Sequence, residues 1–134
     1  MRPEELQIGD WVYSLIDSGG KVVREPQMIR GIWTDSDGDE DVCTIKTDRS
    51  DVWYPIETFE PIPITHEILK ENGFKKKDVF DGWVHYESFP LIDFVLHEDD
   101  EGYYIDLMDA RIKYIHQLQQ AMRLCRINKE ITLN

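Results

Sequence analysis

Four aspartates at alternate positions, Asp35, Asp37, Asp39 and Asp41, make the densest set of oxygen ligands in the chain. Carboxylates spaced in this way can converge on one hard cation, as they do in a calcium-binding loop. The match ends there. With Asp35 as position one, the sixth residue is Glu40 where the loop needs glycine, the twelfth is Lys46 where it needs glutamate, and the flanks are β-patterned rather than helical. A solvated hairpin tip is the better reading. His66, His85, His97 and His116 share no metal-ligand spacing with one another or with Cys43 and Cys125. No metal ligand and no cofactor is assigned.

Nor does the chain carry a Gly-x-Ser-x-Gly elbow, a phosphate-binding glycine loop or a dinucleotide fingerprint. Its carboxylates are too numerous for any pair to single out acid-base work. No catalytic residue is assigned, and a small hydrolase or metal-dependent enzyme ranks last among the readings. The aromatic residues are more informative. Trp11, Tyr13, Trp33, Trp53, Tyr54, Phe59, Trp83, Tyr86, Phe89, Phe94, Tyr103 and Tyr104 are too many to be central in two small cores. Large side chains that close such cores account for most of them, but Trp and Tyr also favour binding surfaces, where one edge stays wet. Trp33, Trp53 and Tyr54, with Asp35, Asp37, Asp39 and Asp41, form the candidate interaction surface.

Charge narrows the partner. The 134 residues hold 15 Lys and Arg against 27 Asp and Glu, a formal net charge of −12. That opposes binding to phosphate backbones and anionic lipid, so neither nucleic acid nor membrane is an expected ligand. The half up to Ile62 is the more acidic, and the expected seat of a cationic partner. No apolar run approaches the ~20 residues needed to cross a bilayer, and Met1 to Leu6 lacks the apolar stretch of a signal peptide. Cytoplasmic residence follows as the expectation, with Cys43 and Cys125 as buried reduced thiols.

The elements that must position these residues are mostly strands. After the Gly9-Asp10 turn, Trp11 to Ile16 alternates as a strand, and Asp17 to Gly20 turns it into a hairpin partner at Lys21 to Val23, cut short by Pro26. Met28 to Trp33 resumes as the next strand, with Gly31 marking a bulge or bend. Val42 to Thr47 and Val52 to Tyr54 follow, then a proline-rich stretch that allows a tight helical turn and a short edge strand. Strands at this spacing, with a helical turn before the last, suggest an SH3-like small β-barrel over residues 1–62.

Residues 63–134 read as an α+β domain. Thr65 caps a short helix that Asn72-Gly73 ends, and Lys75 to Asp78 is a solvated link. Trp83 to Glu87, Leu91 to His97 and Tyr103 to Met108 form an antiparallel meander, and Arg111 to Lys113 adds a strand. Ile115, with Tyr114, Leu118, Ala121, Met122 and Cys125, then marks one amphipathic helix from Tyr114 to Arg126, packed on the sheet. His116, Gln117, Gln119 and Gln120 are expected to point away from the core. Ile131 and Leu133 alternate as a last strand or tail.

Three stretches carry a resemblance: Leu6-Gln7-Ile8-Gly9-Asp10-Trp11-Val12, Glu60 to Phe74, and Ile112-Lys113-Tyr114-Ile115-His116-Gln117-Leu118-Gln119. Together they resemble a family of small uncharacterised proteins of Bacteroides-type gut bacteria, their phages and mobile elements. The sequence departs from that pattern at Asp10, often Asn there, and at Gln120-Ala121-Met122, often Asn-Leu-Tyr. The resemblance implies a compartment and a genomic setting, and it transfers no catalytic or binding residue.

The sequence therefore points first to a non-enzymatic protein-protein interaction module with an unidentified protein partner. An acidic DNA mimic comes second, its Asp35 to Asp41 and Glu98 to Glu101 tips imitating phosphates against a nucleic-acid-binding protein. A free edge strand in the C-terminal sheet would make a dimer unsurprising.

Overall fold

In the computed structural model, the alternating residues after Asp10 form β1 (Trp11–Ser18), which turns at Gly19 and Gly20 into β2 (Lys21–Asp37). β3 (Glu40–Thr47), β4 (Tyr54–Pro55) and β5 (Phe59–Pro61) follow, with a single 3-10 turn, Ile56–Thr58, before β5. The structure describes residues 1–37, 40–80, 83–88, 91–127 and 129–133. The chain divides into two compact units, Met1–Ile62 and Pro63–Leu133.

In the first unit the five strands form one antiparallel sheet in the order β4-β3-β2-β1-β5. Leu6, Val12, Ile29, Cys43, Ile45, Ile56 and Phe59 make its buried core, and Ile32 packs against them. The expected break at Pro26 is absent: β2 runs through it for 17 residues, with Pro26 opposite Tyr13. Proline is tolerated because β3 joins β2 only from Ile29 onward, so at Pro26 no strand among the described residues flanks β2 on that side. The bulge expected near Gly31 is present, as a register shift between Ile29 and Gly31. Among the described residues β4 and β5 remain the two edges, so the sheet is not a closed barrel.

The second unit opens with α1 (His66–Glu71). Thr65 caps it, its side-chain oxygen accepting from the Ile68 N–H at 3.2 Å, and Gly73 at φ 85° ends it, so that the Phe74 N–H returns to the Leu69 carbonyl at 2.9 Å. β6 (Lys75–Phe80), β7 (Trp83–Ser88), β8 (Leu91–Asp99), β9 (Gly102–Ile105) and β10 (Ala110–Ile112) then form an antiparallel meander. The lysine run read as a solvated link is the start of an edge strand, Lys75 opposite Glu87 and Lys76 opposite Tyr86. Lysines suit such an edge because their ammonium groups stay in water and discourage further strand pairing. The strand expected from Tyr103 to Met108 stops at Ile105, and Asp106–Met108 is a 3-10 turn.

α2 (Ile115–Leu124) completes the fold. Ile115, Leu118, Ala121 and Met122 are buried, and Leu124, off the apolar stripe, is 73% exposed. The polar side differs from expectation, because His116 is only 3% exposed and Gln119 only 6%. At 100° per residue His116 and Gln119 lie about 100° and 40° from Ile115, so over the first turns of α2 burial spreads well beyond one apolar stripe, while Arg123, at about 80° on the last turn, is exposed. Gln119 stands only about 40° from Ile115 on that circle, so a helix seated deeply enough to bury Ile115 takes Gln119 with it. Gln117 caps the start, its side-chain oxygen accepting from the Lys113 and Tyr114 N–H groups at 2.7 and 3.1 Å.

After α2 the chain ends in a tail rather than a strand, yet Ile131 and Leu133 are buried. The Asn72 side chain substitutes for a neighbouring strand. It donates to the Thr132 carbonyl at 3.1 Å and accepts from the Thr132 N–H at 2.8 Å, while also donating to the Ile68 carbonyl at 2.9 Å.

Candidate functional site

The outer face of the first sheet follows from strand alternation. Ile45 and Cys43 point inward, so Lys46, Thr44 and Val42 point outward, and their partners Gly31, Trp33 and Asp35 share that face. Trp33 is 59% exposed there, and Trp53, arriving from the loop before β4, is 43% exposed. Gly31 is the seat of Trp53. A Cβ added at Gly31 would lie 2.6 Å from Trp53 Cη2 and 3.2 Å from Cζ3, so the indole can lie on the strand only because glycine has no side chain. Trp33 is two residues further along, roughly 7 Å by strand geometry. A strip thus runs from Trp53 over Gly31, past Trp33, to Asp35 and the half-exposed Val42.

The expected surface is assembled only in part. Trp33, Trp53 and Asp35 share this face. Tyr54 is 45% exposed, but it pairs with Ile45, which puts it on the opposite side of the ladder at the sheet edge. Asp37 and Asp41 belong to the paired ends of β2 and β3, but their side chains, like the whole of Asp39, lie outside the described residues.

Three residues that the acidic composition concealed stand at the other end of the strip. Arg30, Lys46 and Arg49 line one open concavity of about 560 Å³ together with Thr47, Asp48, Ser50 and Asp51. Asp48 is engaged, its carboxylate accepting from the Met28 N–H at 3.0 Å, and Arg49 is 3.9 Å from Glu25. Arg30 and Lys46 form no ion pair among the described residues. The signal was the bulge: it exposes Arg30 beside Gly31, opposite Lys46.

Two other places bring concave or polar features together. A concavity of about 660 Å³ has Leu6, Ile32, Cys43 and Ile56 in its lining and Arg2 and Glu57 among its charged groups. Burial and the Glu57 carboxylate push the Cys43 thiol up, which keeps it protonated and a poor nucleophile. In the second unit, His66 Nδ1 lies 3.2 Å from the Tyr86 hydroxyl, and Tyr103 hydrogen-bonds Glu98. Burial, reinforced by Glu98, pushes both phenols up, so they serve as hydrogen-bond donors rather than phenolates. At the acidic tip of that sheet, Asp99 takes both arms of Arg111 at 2.9 Å, and this pairing holds its carboxyl below the usual range. A carboxylate so engaged is a poor imitation of a free phosphate. Among the described residues, no three His, Cys, Asp or Glu side chains are grouped to hold a metal ion, and no helix is long and apolar enough to cross a membrane.

Comparisons with family models, with curated proteins and with solved structures find no match for this chain.

Proposed function

We propose that the first unit is an SH3-like protein-interaction module, and that it takes its partner on the strip formed by Trp53, Gly31 and Trp33. The seat of Trp53 on Gly31 carries the reading. A glycine that leaves room for a large aromatic ring, half in solvent and two strand positions from a second exposed tryptophan, keeps a flat apolar surface in place before any partner arrives. Aromatic side chains held in this way contribute heavily to binding because little conformational freedom is lost on contact. The SH3-like description is supported by the pairing of the first strand with the last and by the 3-10 turn between β4 and β5. The partner is a protein segment, and the resemblance noted in the sequence supports seeking it among the proteins of a bacterial host or mobile element.

The reading is tested by selecting random twelve-residue peptides, displayed on phage, against the full-length chain, with the Trp33→Ala/Trp53→Ala double variant in parallel. Peptides should be enriched on the natural chain and not on the variant, while both melt at similar temperatures. Equal enrichment on both proteins would overturn it.

A further inference from the structure

Resting on that reading, we infer that the strip accepts an extended, dipolar peptide, with a carboxylate side chain bound at Arg30 and Lys46, apolar side chains over Trp53 and Trp33, and a basic side chain at Asp35. The two ends of the strip carry opposite charge. Arg2, Lys21, Arg24, Arg30, Lys46 and Arg49 are all the basic residues of the first unit, and three of these six line one concavity, where they outnumber its two aspartates, Asp51 and the Asp48 that the Met28 N–H engages. Two of the three, Arg30 and Lys46, form no ion pair among the described residues, although 27 carboxylates are distributed through the chain. By contrast, Arg24 is paired with Glu60 at 2.7 Å and Arg2 with Glu5 at 2.9 Å. Lys46 stands opposite Gly31 at one end of the strip, and Asp35 stands four residues along β2 at the other. In extended backbone that is about 13 Å, so a ligand strand laid along β2 would carry its two charges four residues apart.

This inverts the partner expected from composition. An acidic chain attracts cations at long range, but the cations beside Trp53 select a carboxylate at contact distance, where like charges would meet at either end of a uniformly charged peptide. The combination of aromatic faces and basic side chains also suits single-stranded nucleic acid. The observations favour the peptide, because Asp35 at the far end and the net charge of −12 would repel a phosphate backbone.

The charge pattern of the selected peptides decides the matter. Peptides enriched on the full-length chain should carry Asp or Glu four positions from Lys or Arg, with apolar residues between. Against the Arg30→Glu/Lys46→Glu variant, the acidic position should become basic and affinity for the original peptides should fall about tenfold or more, a loss of roughly 1.4 kcal/mol. Asp35→Lys, at an exposed position, should do the same for the basic position, and serves if the first variant melts early. Oligothymidine, followed by fluorescence anisotropy, should not bind at physiological salt. Enriched peptides that depend on Trp53 but show no such charge spacing, or that ignore both charge variants, overturn this inference and leave the interaction module standing. Enrichment that ignores the two tryptophans overturns both. Oligothymidine binding that is lost in Arg30→Glu/Lys46→Glu overturns the peptide in favour of nucleic acid.

Discussion

At the scale of single residues, Gly31 lacks the one atom that would lift Trp53 off the sheet. Gly31→Ala introduces that atom 2.6 Å from the indole edge. Because the obstacle is the far end of a side chain, the indole moves aside, and strand propensity gained at the position offsets the lost contact. We expect a change in stability within about 1 kcal/mol, together with greater acrylamide quenching of Trp53 fluorescence, measured as the difference from a Trp53→Phe control. Unaltered quenching would mean that the indole is not seated on Gly31. The sequence marked Gly31 as a bulge but not as a seat, since a contact between positions 31 and 53 depends on how β3 and β4 fold back, which no local pattern encodes.

Tyr86 and Tyr103 set a second expectation at this scale. Their phenols are raised by burial first, and then by Glu98. The folded chain therefore keeps protons that the unfolded chain releases from about pH 10. By linkage, the stability tied to these groups is complete below that value and declines as the pH rises above it toward the folded pKa. Tyr103→Phe should make stability less steep in pH above about 10, read from urea midpoints at successive pH values. An unchanged slope would show that Tyr103 does not keep its proton.

At the scale of elements, helical periodicity in α2 places the apolar side correctly and the polar side wrongly. Ile115, Leu118 and Met122 are core as their spacing implies, but His116 and Gln119 are buried too. Periodicity reports where apolar residues are, not how deeply a helix is embedded, and a polar side chain with partners can be buried without any apolar signature. Leu118→Asp should unfold the second unit, because it buries an unpaired charge at a fully enclosed position. Gln119→Ala, which would be neutral on an exposed face, should instead cost about 1–3 kcal/mol. A thermal melt separates the two expectations. The lysine edge strand and the Asn72 clamp on Thr132 were hidden for similar reasons: three consecutive lysines have no strand periodicity, and a side chain that imitates a strand is visible only once residues 60 positions apart are adjacent.

For the whole molecule, the useful contrast lies between net charge and local charge. Composition alone made the first half a seat for cations. The bulge between Ile29 and Gly31 nevertheless brings Arg30, Lys46 and Arg49 together beside the aromatic strip. Short strands, turns, the 3-10 turn before β5 and both helices were legible, because each rests on neighbours in the chain. The binding surface was legible only as a set of residue types. Trp33 and Trp53 meet on one face while Tyr54 leaves it, a distinction made by strand register rather than by identity. Because the cations at the strip are few and exposed to salt, peptide affinity should weaken only modestly between low and physiological ionic strength, unlike the steep decline of a phosphate-backbone ligand.

The most direct measurement is isothermal titration of the full-length chain with a peptide selected on it, repeated with Trp33→Ala and with Trp53→Ala. Each substitution is expected to weaken binding about tenfold or more, corresponding to roughly 1.4 kcal/mol or above, with the melting temperature held within a few degrees. Affinities unchanged in both variants would contradict the assignment of this face as the binding surface.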